Sequence, residues 1–210
     1  MLDITEFRCP FVPKDDIHQQ ADLTREKLWG NEFKLPVNVE LIIEKAGLDI
    51  IPMPLPRNID ALLMNDLSIV ENTLRAGVPA YQARHRFSLA HEFGHFVLHR
   101  SFVEKMAPMT ADEYVSFLES LPEDQYSRFE YQASEFGGRL LVPYSPLKSE
   151  VDKAVEDLKD NGLLNMVRDN PDQVLASISP QVCKPFFVSQ QCIEVRIRYE
   201  GLWPPDRYRT

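Results

Sequence analysis

The chain has 210 residues, and its content of 44% hydrophobic and 26% charged residues is that of an ordinary globular protein. Its formal net charge of -9 argues against a large phosphate-binding surface, because non-specific nucleic-acid affinity comes mainly from lysine and arginine side chains. This balance does not exclude a local basic patch.

The cysteines and the hydrophobic pattern bear on the cellular setting. Cys9, Cys183 and Cys192 are too few for a disulfide framework and lack metal-ligand spacing, so we expect reduced thiols in a cytoplasmic protein. The N-terminus has no apolar run after a basic start, so we expect no secretory signal. No apolar stretch is long enough to span a bilayer, so we expect no membrane segment.

Periodicity in the first half of the chain predicts helices followed by a small sheet. Residues 1–14 show no clear period and are expected to form an arm. Apolar spacing predicts two helices, over 15–29 and 37–46. The pattern then becomes extended and predicts three strands, over 48–53, 60–64 and 67–71. Prolines within and after the first of these should keep that strand short or at an edge.

The second half of the chain is predominantly helical. Its periodicity predicts helices over 84–99, 111–121, 123–141 and 146–161, a short helix from Pro171, and two helices within 179–198. We therefore predict an α+β fold, mainly helical, with a small three-stranded antiparallel sheet and a C-terminal helical appendage. The expected organisation is an arm at 1–14, a principal domain at 15–165, and a helical hairpin with a tail at 166–210 packed on that domain.

The stretch from Arg86 to His99 carries the clearest chemistry. It contains His-Glu-x-x-His at His91, Glu92 and His95. Histidines at i and i+4 project from one face of a helix and can bind one ion, while the glutamate serves as base in zinc hydrolases. Apolar residues fill more than half of the helical wheel, so we expect a buried helix whose polar stripe faces a cleft. Two core histidines with satisfied hydrogen bonds are the less favoured alternative, since Glu92 accompanies them.

A third histidine, His99, extends the same stripe by one turn. At 1.5 Å per residue it lies about 12 Å from His91 along the helix axis, whereas zinc–nitrogen bonds are about 2 Å long. One ion cannot contact both residues, so we expect His99 to pack in the core or to support a ligand. The extended metzincin pattern is excluded because Leu98 and Ser101 stand where it needs glycine and histidine.

A catalytic zinc site needs a third protein ligand, and the helix predicted over 123–141 offers Glu130. This residue lies at the margin of the apolar face, near the small residues Ala133 and Gly137. Consecutive glycines in a helix cost roughly 1 kcal/mol each relative to alanine. We infer that Gly137 and Gly138 allow this helix to pack tightly on the motif helix, which would bring Glu130 to the metal.

Two other carboxylates on the same helix compete with Glu130. Glu135 is predicted to lie on a solvated face, where Arg139 completes a favourable i,i+4 pair. Glu123 lies near the helix start, where an acidic residue is explained by capping. We favour Glu130 because catalytic zinc sites commonly combine two histidines with one glutamate.

These motifs together resemble those of the ImmA/IrrE family of zinc metallopeptidases. The resemblance runs over about residues 15–202, and its specific parts are the stretch 86–99, the Glu130-x-x-Ala133-x-x-Phe136 pattern, and Leu140-Leu141-x-Pro143. It implies a zinc site of His91, His95 and Glu130, with Glu92 as the catalytic base.

The chain also departs from the family pattern. Ser134 stands where the family often has asparagine, Gly137-Gly138 where it often has two alanines, and Val142 where methionine is common. These changes exchange small for small or apolar for apolar, so they keep the chemistry and alter the helix contact.

The resemblance implies an intracellular endopeptidase that cleaves a helix-turn-helix transcriptional repressor in a stress, mobile-element or toxin–antitoxin switch. The peptide would pair with an exposed strand edge, for which we predict the strand at 67–71. No tyrosine or arginine is singled out by spacing to stabilise the oxyanion.

Two other classes of function stay open. The chain could be a non-catalytic zinc-containing module that sequesters a transcription regulator or an antitoxin partner, although the intact Glu92 favours the enzyme. Residues 179–198 could bind DNA, but their many apolar positions favour a core-packing hairpin, so we expect no direct nucleic-acid partner.

Overall fold

A computed structural model of the protein describes residues 7–56, 58–74, 77–78, 81–106 and 110–205. Its elements, in chain order, are α1 (Lys14–Leu28), α2 (Val39–Lys45), β1 (Ile50–Met53), β2 (Ala61–Leu63), β3 (Ile69–Asn72), α3 (Gln82–Val103), α4 (Ala111–Glu119), α5 (Glu123–Leu141), α6 (Tyr144–Asp160), α7 (Leu164–Asp169), α8 (Pro171–Val182), a 3-10 helix (Lys184–Phe186) and α9 (Gln190–Tyr199). None of the described helices is both long enough and apolar enough to cross a membrane.

The chain divides into two compact units. Of the described residues, those up to 30 and those within 38–140 form the first unit, and those within 31–37 and from 141 onward form the second. The mainly helical α+β class predicted from the sequence is confirmed. The domain boundaries predicted after residues 14 and 165 stay predictions.

The sheet corrects one part of the predicted fold. Its strand order is β1-β3-β2, and β2 pairs antiparallel with β3 whereas β1 pairs parallel with it. The sheet is therefore mixed, and the prediction of an antiparallel sheet was wrong. Side-chain alternation indicates that a segment is a strand but carries no information about the direction of its partner, and the chain between β1 and β3 is long enough to return in parallel.

The same topology overturns the predicted substrate edge. Strand β3 lies between its two neighbours, so the stretch 67–71 cannot offer a free edge. Its apolar residues Ile69 and Val70 are buried, as expected for a central strand. The edges belong to β1 and β2. Pro52 lies in β1, which confirms the prediction that prolines place the first strand at an edge.

Helices α3 and α5 form the centre of the first unit. The bounds of α5 are those predicted, and both helices bury large aromatic side chains, including Phe93 on α3 and Phe129 and Phe136 on α5. The segment 7–10, predicted as part of an arm, also contributes to this core. Phe7 is buried, with its ring centroid 4.1 Å from that of Phe102 and 5.9 Å from that of Phe129.

In the second unit, the predicted hairpin around residues 179–198 is present. Helix α9 begins after Ser189, whose side chain accepts a hydrogen bond from the Cys192 amide, as predicted for an N-cap. The apolar residues of the hairpin supply core, with Val182, Phe186, Ile193 and Ile197 buried. Arg196 pairs with Glu200, and Arg198 Nη1 lies 2.8 Å from Asp172 Oδ1. Basic residues of this segment therefore already have acidic partners.

Candidate metal centre

Helix α3 presents the two motif histidines toward one point. Its Leu89, Ala90 and Phe93 are buried, which fixes the rotation of the helix and turns His91 and His95 to the cleft side. The Nε2 atoms of the two rings lie 3.0 Å apart, and the rings are nearly perpendicular at 80°. Both histidines therefore offer the same nitrogen to a shared ligand.

Glu130 on α5 completes this group. Its Oε2 atom lies 3.2 Å from His91 Nε2, and its Oε1 atom lies 3.4 Å from His95 Nε2. Among the described residues these three form the one group of metal-ligating side chains whose atoms all lie within 4.8 Å of one another. The sequence-predicted ligands are thus adjacent in the structure.

Two glycines explain how α5 comes close enough. A Cβ atom at Gly137 would lie 3.0 Å from the Ala90 carbonyl carbon and 3.0 Å from the His91 amide nitrogen. A Cβ atom at Gly94 would lie 2.9 Å from the Ala133 carbonyl oxygen. Each helix therefore uses a glycine where the other's backbone approaches, as predicted for Gly137. This close approach brings Glu130 within reach of both histidines.

The geometry of the group fits a tetrahedral zinc ion. Donor atoms bound at 2.0–2.1 Å and at tetrahedral angles are roughly 3.3 Å apart. The shortest contacts among the three residues are of this size, at 3.0, 3.2 and 3.4 Å, and the last two are made by different oxygens of Glu130. Two imidazole nitrogens and one carboxylate are also the donor set of catalytic zinc sites, in which a fourth position stays open.

The protonation states of His95 and Glu130 suit metal binding. Burial lowers the pKa of His95 to about 3, so its ring is neutral at physiological pH. Burial alone would raise the pKa of Glu130, but the neighbouring imidazoles of His91 and His95 outweigh it and hold that pKa well below its usual range. The carboxylate is therefore charged and available as a ligand.

Both ligand histidines have partners on their second ring nitrogens. His91 Nδ1 lies 3.1 Å from Ser134 Oγ, and His95 Nδ1 lies 3.0 Å from His99 Nδ1. These contacts keep Nε2 of each ring directed at the site. Ser134, which departs from the family pattern, therefore still supplies a polar side chain to His91.

Glu92 lies beside the group without belonging to it. Its Oε2 atom accepts a hydrogen bond from the Leu63 backbone amide at 2.8 Å, which anchors the carboxylate to strand β2. Burial raises the pKa of Glu92 to about 7; the neighbouring His91 opposes this rise and the charge of Glu130 adds to it. A carboxylate with a pKa near neutrality is suited to proton transfer. The Leu63 contact was not predicted from the sequence, because no residue pattern encodes a backbone donor.

A cavity of about 450 Å³ opens at the site. Its wall includes His91, Glu92, His95 and Glu130 together with the segment 58–62 and residues of α4. Tyr114 and Tyr126 also line it. Burial raises the pKa of each tyrosine, and the charge of Glu130 adds to this, so both hydroxyls stay protonated and can donate hydrogen bonds. The sequence spacing gave no reason to select these two tyrosines.

The competing residues have other partners. His99 is buried and lies outside the three-residue group, contacting His95 and Gln132 instead. Glu135 is also buried and pairs with His18 of α1, so the prediction that it lies on a solvated face was wrong. Its predicted partner Arg139 instead binds Asp22 of α1, with an Nη2–Oδ2 distance of 2.6 Å. An i,i+4 pattern cannot reveal that another helix covers the face.

The fold and the site together define a class of protein. Two histidines one turn apart, a glutamate from a facing helix and a second glutamate beside a cleft form the site of a metal-dependent hydrolase. A peptidase family model described as the IrrE N-terminal-like domain matches residues 43–168, which include all four of these residues. The chain therefore belongs to the ImmA/IrrE family of metallopeptidases. No curated protein matches the chain.

Proposed function

We propose that this protein is a zinc-dependent endopeptidase. In this proposal His91, His95 and Glu130 hold the zinc ion, and Glu92 is the catalytic base. The observation that carries it is the convergence of two imidazole nitrogens and the Glu130 carboxylate, with contacts of 3.0–3.4 Å, beside an anchored Glu92 with a raised pKa. When bound, zinc would supply a Lewis acid that polarises the scissile carbonyl and acidifies water.

Residues of the protein would carry out proton transfer and stabilise the developing oxyanion. Leu63 N–H holds one oxygen of Glu92, and we assign the other oxygen to proton transfer. Glu92 takes a proton from the attacking water and passes it to the nitrogen of the departing amine. Tyr114 and Tyr126 present protonated hydroxyls at the cavity wall, so they are the candidates for donating a hydrogen bond to the developing oxyanion.

Strand β2 replaces β3 as the proposed substrate edge. Asp60 and Met64 form main-chain hydrogen bonds with the β3 side of the sheet. Because strands alternate, the main-chain groups of Ala61 and Leu63 point to the free side. Leu63 N–H binds Glu92 there, and Ala61 lines the cavity. An extended peptide that pairs with Ala61 would therefore lie next to the catalytic base.

We further propose that the substrate is a helix-turn-helix repressor and that cleavage acts as a regulatory switch in the cytoplasm, as in a stress response. Membership of the ImmA/IrrE family supports this proposal. The charge of the chain also supports it. A net charge of -9 attracts the basic surface that a DNA-binding domain presents, which favours encounter with such a protein over encounter with DNA itself.

The alternative is a zinc-containing module that binds and sequesters the regulator without cleaving it. The anchored Glu92 disfavours this reading, because a purely structural zinc site needs no base next to an open cavity. Both proposals share the same metal site and the same partner class, so a cleavage experiment can separate them.

The test is co-expression with candidate helix-turn-helix regulators from the same genome. We expect a specific repressor fragment with the wild-type protein and none with Glu92→Gln, which keeps the shape of the side chain and the acceptor for Leu63. Glu135→Gln is the matched control and should still produce the fragment. Cleavage by Glu92→Gln would refute its role as base. A stable complex in which neither the wild-type protein nor Glu92→Gln cleaves the repressor would favour the sequestering module.

A further inference from the structure

The metal-ligand candidate His95 is the first member of a chain of buried hydrogen bonds that leads away from the cavity. His95 Nδ1 lies 3.0 Å from His99 Nδ1, and His99 Nε2 lies 2.8 Å from Gln132 Oε1. Gln132 Nε2 donates to the Pro10 carbonyl at 2.8 Å. We propose that His99 is a positioning residue that fixes the tautomer and orientation of His95 for zinc binding. This inference rests on the zinc site of the proposed function.

The donor–acceptor direction of this hydrogen-bond chain follows from its Pro10 end. A backbone carbonyl can only accept a hydrogen bond, so the Gln132 atom facing Pro10 must be the amide nitrogen. Gln132 then presents its oxygen to His99, which must donate from Nε2. A neutral imidazole carries one proton, so His99 Nδ1 is left as an acceptor.

The hydrogen bond at the His95 end then has only one possible direction. With His99 Nδ1 as acceptor, His95 must donate from its own Nδ1. The lone pair of His95 therefore lies on Nε2, the atom that faces His91 and Glu130. Each bond in the chain thus supports the single tautomer of His95 that can bind a metal between α3 and α5.

The surroundings hold this chain in place. His99 and Gln132 are 3% and 1% exposed, so water cannot readily substitute for either partner. The ring of Phe129 lies against both imidazoles, with centroid distances of 4.0 Å to His95 and 4.4 Å to His99. These contacts restrict rotation of the two rings.

The Pro10 end is anchored by the same helix that carries Gln132. The backbone amide of Cys9 donates to Gln125 Oε1 at 2.9 Å, and Arg128 Nη1 donates to the Cys9 carbonyl at 3.2 Å. The segment 7–10 is therefore fixed on α5, and the Pro10 carbonyl has a defined position. Residues predicted from the sequence to form a simple arm thereby set the direction of a hydrogen-bond chain that reaches the metal centre.

Partners on the outer nitrogen of a metal-binding histidine typically change metal affinity by 10–100-fold. The matched substitutions His99→Leu and His99→Asn separate the hydrogen bond from packing. The two new side chains are similar in shape, but asparagine can place an oxygen near the position of His99 Nδ1 and accept from His95, whereas leucine cannot. Both variants lose the hydrogen bond to Gln132, so the difference between their zinc affinities reports the hydrogen bond with His95.

The experiment measures zinc affinity by competition with a chromophoric chelator, and the melting temperature of each metal-free variant as a check of folding. We expect zinc binding by His99→Leu to be weaker than wild type by about 10–100-fold, and binding by His99→Asn to be within a few-fold of wild type. Equal affinities for the two variants, or unchanged affinity for His99→Leu, would overturn the inference.

A second pair of variants covers the case in which His99→Leu does not fold. Gln132→Met removes the acceptor for His99 Nε2 with little change of shape, and Gln132→Glu retains it. We expect weaker zinc binding for the methionine variant than for the glutamate variant, and equal binding would count against the chain. Failure of the wild-type protein itself to bind zinc would instead refute the proposed function, and the inference with it.

Discussion

Helix α5 carries two carboxylates that meet histidines, and they do so on different faces. Glu130 faces His91 and His95 of α3 at the wall of the cavity, with 31% of its side chain exposed. Glu135 faces His18 of α1, and only 2% of its side chain is exposed. The first face combines three converging donor atoms with access to a cavity, whereas the second shows a buried pair that joins two helices. A glutamate beside a histidine is therefore not sufficient evidence for a metal site.

The difference has a structural origin in the helices that supply the histidines. On α3 the i,i+4 spacing directs two imidazoles to one point, and the glycine contacts bring α5 close enough for Glu130 to join them. On the other face, Arg139 and Arg25 both bind Asp22 of α1 and form a network of ion pairs around that helix. We interpret the Glu130 face as functional and the Glu135 face as stabilising.

The largest expected effect comes from exchanging each carboxylate for its amide. Glu130→Gln should weaken zinc binding by more than about a hundredfold, because even the loss of an outer partner typically costs 10–100-fold. Glu135→Gln should leave zinc affinity close to wild type and lower the free energy of unfolding instead, by about 1–3 kcal/mol for a buried hydrogen bond to a charged group. Equilibrium dialysis against zinc and chemical denaturation measure the two quantities.

This pair of variants can also contradict the comparison. Equal zinc affinities for Glu130→Gln and Glu135→Gln would show that the two faces do not differ in the way proposed. If only Glu135→Gln lost zinc, the metal would lie at the Glu135 face, and the proposed site at Glu130 would be refuted.

A smaller effect is expected from filling the contact that positions Glu130. Alanine normally stabilises a helix by about 1 kcal/mol relative to glycine. At Gly137, however, the added methyl would meet the α3 backbone at 3.0 Å, so we expect Gly137→Ala to destabilise by about 1–3 kcal/mol and to weaken zinc binding. Ser127→Ala on an exposed position of the same helix is the control and should be neutral or slightly stabilising. Stabilisation by Gly137→Ala would show that the two backbones have room to separate.

The last expected effect is a pH dependence of the metal-free protein. The folded-state pKa of Glu92 is raised from 4.5 to about 7, mainly by burial. Its contribution to stability is therefore full below about pH 4.5 and is lost as the pH rises through 7. Relative to Glu92→Gln, the wild-type protein should lose up to about 3 kcal/mol of unfolding free energy across this range.

The two faces of α5 should affect this pH dependence differently. The charge of Glu130 contributes to the raised pKa of Glu92, so Glu130→Gln should reduce the loss between pH 4.5 and 7. Glu135→Gln should leave it unchanged. Denaturation curves for these variants at several pH values, with zinc removed by a chelator, provide the measurement. If the difference in unfolding free energy between the wild type and Glu92→Gln did not change with pH, the argument that burial raises the pKa of Glu92 would be contradicted.

Much of the candidate metal centre could be predicted from the sequence because local spacing encodes it. The i,i+4 histidines lie on one helix, and the bounds of α5 follow from Pro122 and Pro143 on either side of an amphipathic pattern. The small face at Gly137 also indicated a close helix contact, which the structure contains. These features depend on residues that are near one another in the chain.

The features that could not be predicted depend on distant segments. The burial of Glu135 requires α1 to cover α5, and the anchoring of Glu92 requires the backbone of β2. The parallel pairing of β1 with β3, and with it the correct substrate edge at β2, depends on strand order that side-chain alternation does not encode. The hydrogen-bond chain through His99 needs a carbonyl from residue 10, far away in sequence.

The central claim is that zinc is held by two imidazoles and one carboxylate, and X-ray absorption at the zinc edge of the loaded protein tests it most directly. We predict a shell of nitrogen and oxygen atoms at about 2.0–2.1 Å with outer scattering from two imidazole rings and no sulfur. In Glu130→Gln this spectrum should be lost or altered, and in Glu135→Gln it should be retained. A sulfur shell at about 2.3 Å, or scattering from a third imidazole, would contradict the assignment of His91, His95 and Glu130.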